Sequence, residues 1–480
     1  MSLMFQVPDL FPLSAEIFIL VMACVVMVVD LYFADKQHKI TYWLTQLTLF
    51  LAIFITAYTL DEKGSILFSG MYISDYMSSV LKIGIYIATM LSLLYARDYI
   101  AERNFLKGEY YMLALFAVLG MMVMVSAHSL LTIYLGLELL SLPLYAMVAM
   151  ERDNAKASEA AMKYFVMGAI ASGFLLYGMS LLYGATGSIS IEVLNQTLLN
   201  TGSNNMMVNF GVVFIISGFA FKLGAVPFHM WLPDVYQGSP TPVTLFIGSA
   251  PKIAAFGMII RLLTDGLAGL SEQWQPMLMV LALLSLAIGN VVAIAQTNIK
   301  RMLAYSTIGH VGFFLLGIIA GTQAGYAASM FYILVYALMT LAGFGMIVFL
   351  SRKGFESETI ADFKGLAKRS PWAALMMLFT LMSLAGVPPF IGFWPKLEVI
   401  LQAIRSGYIT LAITAIIFSL IAAYYYLRIA KVMYFDEPAT DEAIVASSDV
   451  RLLVAVNGLA MLALGIIPGW ILDFCIKSFS

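Results

Sequence analysis

Apolar stretches of about twenty residues recur along the whole chain, and they constrain its fold more than any other feature. Of 480 residues, 61% are hydrophobic and 11% are charged, whereas a soluble globular protein carries roughly a quarter charged residues. Each stretch is long enough to cross a bilayer as a helix. The stretches are continuous rather than alternating, which excludes a membrane β-barrel. We therefore predict an all-α, polytopic membrane protein with about fourteen transmembrane helices.

Fourteen apolar runs define the predicted spans. They cover residues 13–33, 42–60, 73–96, 110–126, 129–150, 160–184, 207–226, 243–263, 276–296, 302–321, 324–350, 371–400, 408–431 and 452–471. The first run has neither the basic leader nor the small-residue cleavage site of a signal peptide. We therefore expect it to remain in the mature protein as a span.

The distribution of Lys and Arg between the spans predicts the orientation, because cytoplasmic loops are enriched in basic residues. The odd-numbered loops hold Lys36, Lys39, Arg97, Arg103, Lys107, Arg152, Lys156, Lys300, Arg301, Arg352, Lys353, Lys364, Lys368, Arg369, Arg428, Lys431 and Arg451. The even-numbered loops hold only Lys63, Arg261 and Arg405. We therefore expect both termini to face the outside. Two loops have further features: residues 182–205 lack Lys and Arg and fit an outside loop, and the acidic residues 436–449 fit a solvated linker.

Charge and motifs exclude several classes of function. The formal net charge is −2, which leaves no basic surface for nucleic acid. Cys24 and Cys475 lie near opposite ends, without the spacing that binds zinc, haem or an iron–sulfur cluster. The phosphate-binding motif G-x-x-x-x-G-K-[ST] is also missing from the sequence. We expect no metal, no cofactor and no redox centre in this chain.

Six ionisable residues fall inside predicted spans, where a charge at the helix centre costs about 2.5–3.5 kcal/mol on insertion scales. They are Glu138, Lys163, Lys222, Lys252, His310 and Lys396. So many costly groups in one chain indicate a functional set. Burial favours the neutral form of a lysine, and a carboxylate within about 4–6 Å favours the charged form. Moving a neighbouring charge would therefore load or unload a proton, which is the elementary step of a proton pump.

Each of these residues has a structural alternative. Glu138 and His310 could be hydrogen bonders between packed helices, and Lys163 and Lys396 could snorkel to the membrane interface. Lys82 lies near the start of the third span, a few residues after Asp75. For Lys82 we expect a structural ion pair or a snorkelling side chain.

Prolines interrupt two of the predicted spans. Pro227 lies about one and a half turns after Lys222, and Pro388 and Pro389 lie shortly before Lys396. A proline inside a helix removes a backbone hydrogen bond and clashes with the preceding turn. Exposed backbone groups at membrane depth are tolerated only against protein or water. We therefore predict broken helices seven and twelve, each with a polar point beside a lysine.

The two breaks also predict an internal repeat. Helices seven and twelve are five spans apart and must run in opposite directions, which is typical of inverted-repeat transporters. We predict four regions: residues 1–108 with the first three helices, 109–265 as the first repeat, 276–435 as the second, inverted repeat, and 450–480 with the last helix. In this arrangement Lys222, before its break, and Lys396, after its break, both lie toward the outside.

Four stretches carry a family resemblance: FKLGAVPFHMWLPDVYQGSPTPVT (221–244), FIGSAPKIAAFG (246–257), MLAYSTIGHVGF (302–313) and AGVPPFIGFWPKL (385–397). With them, the chain resembles the antiporter-like membrane subunits of respiratory complex I, which are similar to subunits of multisubunit cation/proton antiporters. The resemblance extends over essentially all fourteen spans. Within the family, the subunit N branch is the most similar. Subunit M has a glutamate near the position of Lys396, and subunit L has a long C-terminal extension with a lateral helix.

The resemblance implies roles for the candidate residues. Glu138 and Lys222 would form the charge pair of a proton-input half, with Lys163 modulating it. Lys252 and His310 would bridge along a central polar axis, and Lys396 would be the terminal donor of the output half. Pro227, Pro388 and Pro389 would mark the helix breaks that line this axis.

The resemblance also implies a setting. The chain would be a non-redox, proton-translocating subunit of NADH:quinone oxidoreductase in a bacterial inner membrane, with both termini periplasmic. FMN, iron–sulfur clusters and quinone would be held by other subunits. Its partners would be the neighbouring antiporter-like subunit M, small membrane subunits such as K, lipids and protons. Two other functions remain open: an Mrp-like antiporter that exchanges H⁺ for Na⁺, and a scaffold subunit that moves nothing.

Overall fold

The chain is described here by a computed structural model that covers residues 9–33, 38–62, 64–103, 108–201, 205–352, 354–438 and 447–480. Lys36, Lys63, Lys107 and Lys353, which contribute to the predicted orientation, lie outside the described residues. The same holds for residues 439–446 of the predicted acidic linker and 202–204 of the predicted outside loop.

Helices dominate the described part of the chain. In chain order they are α1 (Ser14–Tyr32), α2 (Lys39–Tyr58), α3 (Tyr76–Glu102), α4 (Glu109–Val125), α5 (Leu130–Val148), α6 (Ala155–Thr186), α7 (Ile191–Thr201), α8 (Met206–Leu223), α9 (Trp231–Gly238), α10 (Thr241–Gly248), α11 (Ala250–Ile260), α12 (Ser271–Ile294), α13 (Ile299–Ile319), α14 (Gln323–Leu350), α15 (Leu366–Arg369), α16 (Pro371–Ala385), α17 (Phe393–Arg405), α18 (Ile409–Phe435), α19 (Ser448–Ile466) and α20 (Gly469–Lys477). Three short 3₁₀ segments are Phe11–Leu13, Ala268–Leu270 and Ile360–Phe363, and Arg261–Gly266 is a π-helical turn. Strands β1 (Ser65–Leu67) and β2 (Tyr72–Ser74) form an antiparallel hairpin between α2 and α3, with Ser65 opposite Ser74.

The fourteen predicted spans are all helical. Within the described ranges, twelve helices are long and apolar enough to cross a membrane, and the shorter apolar helices α4 and α16 occupy the fourth and twelfth spans. The seventh span is divided into α8 and α9, and the twelfth into α16 and α17. The predicted breaks in these two helices are therefore confirmed.

The structure corrects two details of the prediction. The eighth span, predicted as one helix, is divided at Ser249 into α10 and α11 and ends in the π-helical turn. The predicted outside loop at 182–205 is largely helical, because α6 extends to Thr186 and α7 packs against that π-helical turn. A polar segment without basic residues reads as a loop in sequence, but α7 alternates apolar and polar residues and buries Ile191, Leu194 and Leu198.

Small residues set the closest helix contacts. Gly120 of α4 lies against the backbone of Leu139 and Leu140 of α5, and Gly289 of α12 lies against the backbone of Gly309 of α13. Glycine allows two helix backbones to approach closely in a membrane, where packing replaces the hydrophobic effect as the driving force. The eighth span is buried entirely and α13 almost entirely, whereas α1, α6 and α18 are largely exposed. The interior of the molecule is therefore built around the eighth and tenth spans.

Candidate functional site

The break in the seventh span is built from a glycine and a proline. Gly224 has a φ of 78°, in the left-handed region, and it ends α8. The N–H of Ala225 then donates to Ala220 O at 2.8 Å, which closes the helix end. The chain crosses Pro227 and becomes helical again at Trp231, whose Nε1 donates to Phe221 O at 2.8 Å. The break thus leaves backbone carbonyls of α8 facing side chains.

Lys222 lies one turn before this break, with its ammonium in the protein interior. Its Nζ donates to Ser141 Oγ at 2.8 Å, and Ser141 in turn donates to Leu137 O at 2.6 Å. Glu138 lies on the same helix as Ser141, but the described ion pairs include no contact between Glu138 and Lys222. Glu138 Oε1 is buried without a protein hydrogen-bond partner. A serine hydroxyl, rather than the carboxylate, is the direct partner of this lysine.

Lys252 reaches the break from the eighth span. Its Nζ donates to Leu223 O at 2.6 Å and lies 5.7 Å from the centre of the Trp231 ring. Leu223 is the last residue of α8, so this carbonyl is one that the helix cannot satisfy itself. The break at Ser249, one turn before Lys252, directs α11 toward α8. Lys252 and Lys222 therefore lie on the two sides of one helix end.

The break in the twelfth span repeats this arrangement. Gly386 has a φ of 82° and ends α16, and the N–H of Val387 donates to Met382 O at 3.0 Å. Lys396, in the first turn of α17, donates to Leu384 O and Ala385 O, both at 2.9 Å. Its ammonium lies 5.1 Å from the centre of the Phe313 ring. A lysine again meets the free carbonyls at the end of a broken helix.

His310 lies between the breaks in a network of hydroxyl groups. Its Nδ1 is 2.7 Å from Tyr332 Oη, and its Nε2 is 3.2 Å from Tyr426 Oη. Tyr426 also bonds Ser306 at 2.5 Å. The ring of Tyr332 stacks on Phe313, which is the ring beneath Lys396. The histidine is thus linked through tyrosines toward the second break.

Further hydroxyls extend this network toward the first break. Tyr336 Oη donates to Thr307 Oγ1 at 2.7 Å, and its ring is 4.9 Å from that of His310. Tyr236, on α9, has a buried hydroxyl without a protein hydrogen-bond partner. The sequence prediction missed these tyrosines. Tyrosine is a common membrane-protein residue, and only its convergence on His310 in the fold distinguishes these.

Lys163 lies away from the deep lysines and is partly exposed. Its Nζ is 2.8 Å from Asp234 Oδ2 and 2.8 Å from Glu159 Oε1. Asp234 Oδ1 also accepts from Arg301 Nη1 at 2.7 Å, so this carboxylate joins α6, α9 and α13. These groups line a polar cavity of about 160 Å³. Asp234 was not predicted as a site residue, although it lies in the motif at 221–244.

Lys82 forms an ion pair, as one of its predicted alternatives requires, but its partner is not the neighbouring Asp75. Its Nζ lies 2.5 Å from Glu16 Oε1, and both side chains are buried. Tyr72 Oη donates to the same carboxylate oxygen at 2.8 Å. Asp75 instead pairs with Arg261 at 2.7 Å. Although burial opposes ionisation of Asp75, the Arg261 guanidinium holds the pKa of that carboxyl below its usual value.

Arg261 and Glu16 are two further buried charges. Arg261 was predicted to lie in an outside loop, but it is only 4% exposed and forms the start of the π-helical turn. Glu16 was overlooked as a deep carboxylate because it lies in the first turn of α1. Among the described residues, no group of three or more His, Cys, Asp or Glu side chains could hold a metal ion.

Comparisons with known proteins identify the family. The family model described as NADH:quinone oxidoreductase/Mrp antiporter, TM, matches residues 127–422. NADH-quinone oxidoreductase subunit N of Thioalkalivibrio sulfidiphilus is 53% identical over 99% of both chains. The corresponding subunit N of Thiobacillus denitrificans is 52% identical over 97% of both.

Solved structures agree with this relationship. A chain of respiratory complex I from Thermus thermophilus is 32% identical, with a TM-score of 0.81 over 96% of this chain and 99% of that one. A chain of the Mrp complex from Dietzia has the same fold, with a TM-score of 0.84 over 98% of this chain and 97% of that one at 21% identity. The chain therefore belongs to the NADH-quinone oxidoreductase subunit N family, a branch of the antiporter-like membrane subunits of respiratory complex I.

Proposed function

We propose that this chain translocates protons along a buried path formed by Glu138, Lys222, Lys252, His310 and Lys396. In this proposal it is a non-redox subunit, and quinone reduction elsewhere in the complex drives the transfer. One observation carries the proposal. The buried ammonium groups of Lys222, Lys252 and Lys396 bond a hydroxyl or backbone carbonyls rather than carboxylates.

Neutral oxygens make these lysines suitable as proton carriers. A carboxylate in contact would fix the positive charge, whereas carbonyl and hydroxyl dipoles offset only part of the cost of burying it. A small change in a nearby charge then decides whether the proton stays. One proton crossing the membrane costs about 2.3 kcal/mol per 100 mV, and a tenfold change in proton affinity is worth about 1.36 kcal/mol. The required changes are therefore modest.

The path divides into two halves around the breaks. Glu138 and Lys222 serve the input half, with Lys163 modulating the pair, and Lys396 is the terminal donor of the output half. His310 and its tyrosine partners connect the halves. The direct contacts form separate groups, and we expect water to bridge them, since buried polar groups without protein partners recruit ordered water.

The proposal includes an architecture and an assembly. The similar breaks at Gly224 and Gly386 support two inverted repeats at residues 109–265 and 276–435. We propose that both termini are periplasmic in a bacterial inner membrane. Subunit M and small subunits such as K are the proposed neighbours, and the FMN, iron–sulfur clusters and quinone are assigned to other subunits.

Reconstitution of the assembled complex tests the path. In Lys222→Met, Lys252→Met and Lys396→Met, we expect proton transfer per NADH oxidised to fall at least about tenfold, because a neutral thioether cannot carry a proton. The exposed Lys368, which pairs with Glu437 at the surface, gives a matched control in Lys368→Met. Wild-type proton transfer in all three buried variants would contradict the path and favour a scaffold role.

Cation/proton antiport is a second candidate. The description of the matching family model includes Mrp antiporters, and Glu138 offers a carboxylate with one unpartnered oxygen. Vesicles that contain only this chain separate the two candidates. Sodium-dependent pH changes that disappear in Glu138→Gln would favour antiport, whereas their absence would favour the coupled proton path.

A further inference from the structure

We infer that Lys252 and Lys396 act as positioning residues: their protonated ammonium groups cap the two broken helices, so that proton occupancy and the shape of each break are coupled. The inference deepens the proposed function and rests on it for the meaning of proton release. The capping itself is a separate structural claim. It stands on two sites that are far apart in the sequence.

The two sites match residue by residue. Counted from the glycine that ends each first half, Leu223 and Ala385 occupy the same position, and Trp231 and Phe393 are the equivalent first residues of the second halves. Lys252 donates to Leu223 O, and Lys396 donates to Ala385 O. Each ammonium thus serves the last carbonyl of the first half-helix.

The capping lysines come from different helices. Lys396 belongs to the broken span itself, whereas Lys252 comes from α11 of the next span. In the first repeat, the position equivalent to Lys396 is Asp234, which points to Lys163 and Arg301 instead. The same contact has therefore been built in two ways, which indicates that the ammonium-to-carbonyl contact is itself required.

Physical chemistry makes this contact reciprocal. The last carbonyls of a helix carry roughly half a negative charge and lack partners within the helix. A buried carbonyl without a partner is costly in a membrane, so an ammonium there stabilises the break. By linkage, the break stabilises the ammonium equally, and any rearrangement that removes the carbonyl weakens the hold on the proton.

The two ammonium groups have few other partners. Neither has a carboxylate within ion-pair distance among the described residues, and the remaining contact of each is an aromatic ring. Loss of the proton converts a charge-assisted hydrogen bond into a weaker neutral one. The helix end therefore senses whether its lysine is charged.

Hydrogen exchange of the assembled complex tests the capping at the second break. Lys396→Met should speed exchange of the amides of Val387, Phe390, Ile391 and Gly392 about tenfold, because the carbonyls lose their donor. Lys396→Arg should keep wild-type exchange, since arginine remains charged. The cavity of about 420 Å³ beside Lys396 leaves room for the larger guanidinium.

The first break provides the matched experiment. Lys252→Met should speed exchange of Ala225, Val226, Phe228 and Met230 and leave the amides of the second break unchanged, and Lys396→Met should do the reverse. Unchanged exchange in both Met variants, equal acceleration at both breaks in each variant, or acceleration in Lys396→Arg would overturn the capping role.

Proton transfer measured on the same samples separates this inference from the proposed function. We expect Lys396→Arg to keep the break intact and yet to lose proton transfer, because its side chain cannot release a proton at neutral pH. An Arg variant with an intact break and full proton transfer would contradict the link between occupancy and break shape. Accelerated exchange with normal proton transfer in Lys396→Met would contradict the proposed path but leave the capping contact standing.

Discussion

The buried pair of Glu16 and Lys82 shows how costly single charges are in this molecule. The two side chains contact each other at 2.5 Å, and Tyr72 Oη donates to Glu16 and accepts from Lys82 at 2.9 Å. Buried ion pairs add little over apolar residues of the same size, but removal of one partner leaves an uncompensated charge. The stability of the first three helices should therefore depend on both charges together.

A pair of variants tests this dependence. Lys82→Met alone should lower the stability of the complex by about 3–5 kcal/mol, because the Glu16 carboxylate is left buried without its cation. The double variant Lys82→Met with Glu16→Gln should recover most of that loss. Thermal unfolding of the purified complex measures both effects. Equal losses in the single and the double variant would show that packing, rather than charge, holds these helices.

His128 makes a second residue-scale prediction, which concerns pH. It lies between α4 and α5, and its ring nitrogens are buried without partners. Burial, with the nearby Arg261 guanidinium, lowers the pKa of His128, against the weaker opposing effects of Asp265, Glu192 and Asp75. The unfolded chain therefore binds a proton more readily than the folded one, and stability should be lost as the pH falls below about 6.5.

A variant isolates this contribution. His128→Gln keeps a polar side chain but cannot titrate, so the fall in unfolding temperature between about pH 7.5 and pH 5.5 should be smaller than in the wild type. The comparison subtracts all other titrating groups. An identical fall in both proteins would mean that His128 does not contribute.

Sequence reasoning located some charged residues and missed others for a physical reason. Lys222, Lys252 and His310 lie in the middle of apolar runs, where a charged group has no inexpensive explanation. Glu16 and Arg261 lie near helix ends, where sequence places ordinary interfacial charges. Their burial depends on the β-hairpin and on α7, which cover the helix ends in the fold and which sequence periodicity did not reveal.

At the scale of helices, proline alone did not determine where a span breaks. Pro143 lies inside α5, which remains one helix. Pro227 and Pro389 follow Gly224 and Gly386, and these glycines end the helix in the left-handed conformation before the proline is reached. The combination of glycine and proline therefore predicts a break. The break at Ser249 carries no such glycine, and Pro251 there occupies the first turn of α11, where proline is well tolerated.

The contact between α12 and α13 gives an element-scale prediction. A Cβ atom at Gly289 would lie 2.5 Å from Gly309 N, so Gly289→Ala must push two backbones apart. We expect a loss of about 1–3 kcal/mol, measured as a lower melting temperature of the assembled complex.

The matched control lies on α6. A Cβ atom at Gly173 meets nothing within 4 Å, so Gly173→Ala should be neutral or slightly stabilising. A Gly289→Ala complex as stable as this control would show that α12 and α13 separate without cost.

At the scale of the whole molecule, buried charge is distributed along one interior band. Lys222, Lys252, His310 and Lys396 belong to the seventh, eighth, tenth and twelfth spans, and all four side chains are buried. The peripheral helices α1, α6 and α18 turn broad apolar faces outward. The number of spans and the two breaks could be read from hydropathy and proline, whereas the meeting of these four residues required the long-range packing of helices. The direction in which the band crosses the membrane still depends on the orientation of the chain.

The proposed orientation makes a prediction that concerns the whole molecule. If both termini are periplasmic, the basic loops between odd and even spans face the cytoplasm. In a Cys24→Ser, Cys475→Ser background, a cysteine at Ser480 should react with an impermeant thiol reagent in intact cells, because Ser480 is exposed at the C-terminal end. A cysteine at the exposed Lys364 should react only after the membrane is opened. Labelling in the opposite order would invert the molecule, and Lys222 and Lys396 would then lie on the cytoplasmic side of their breaks.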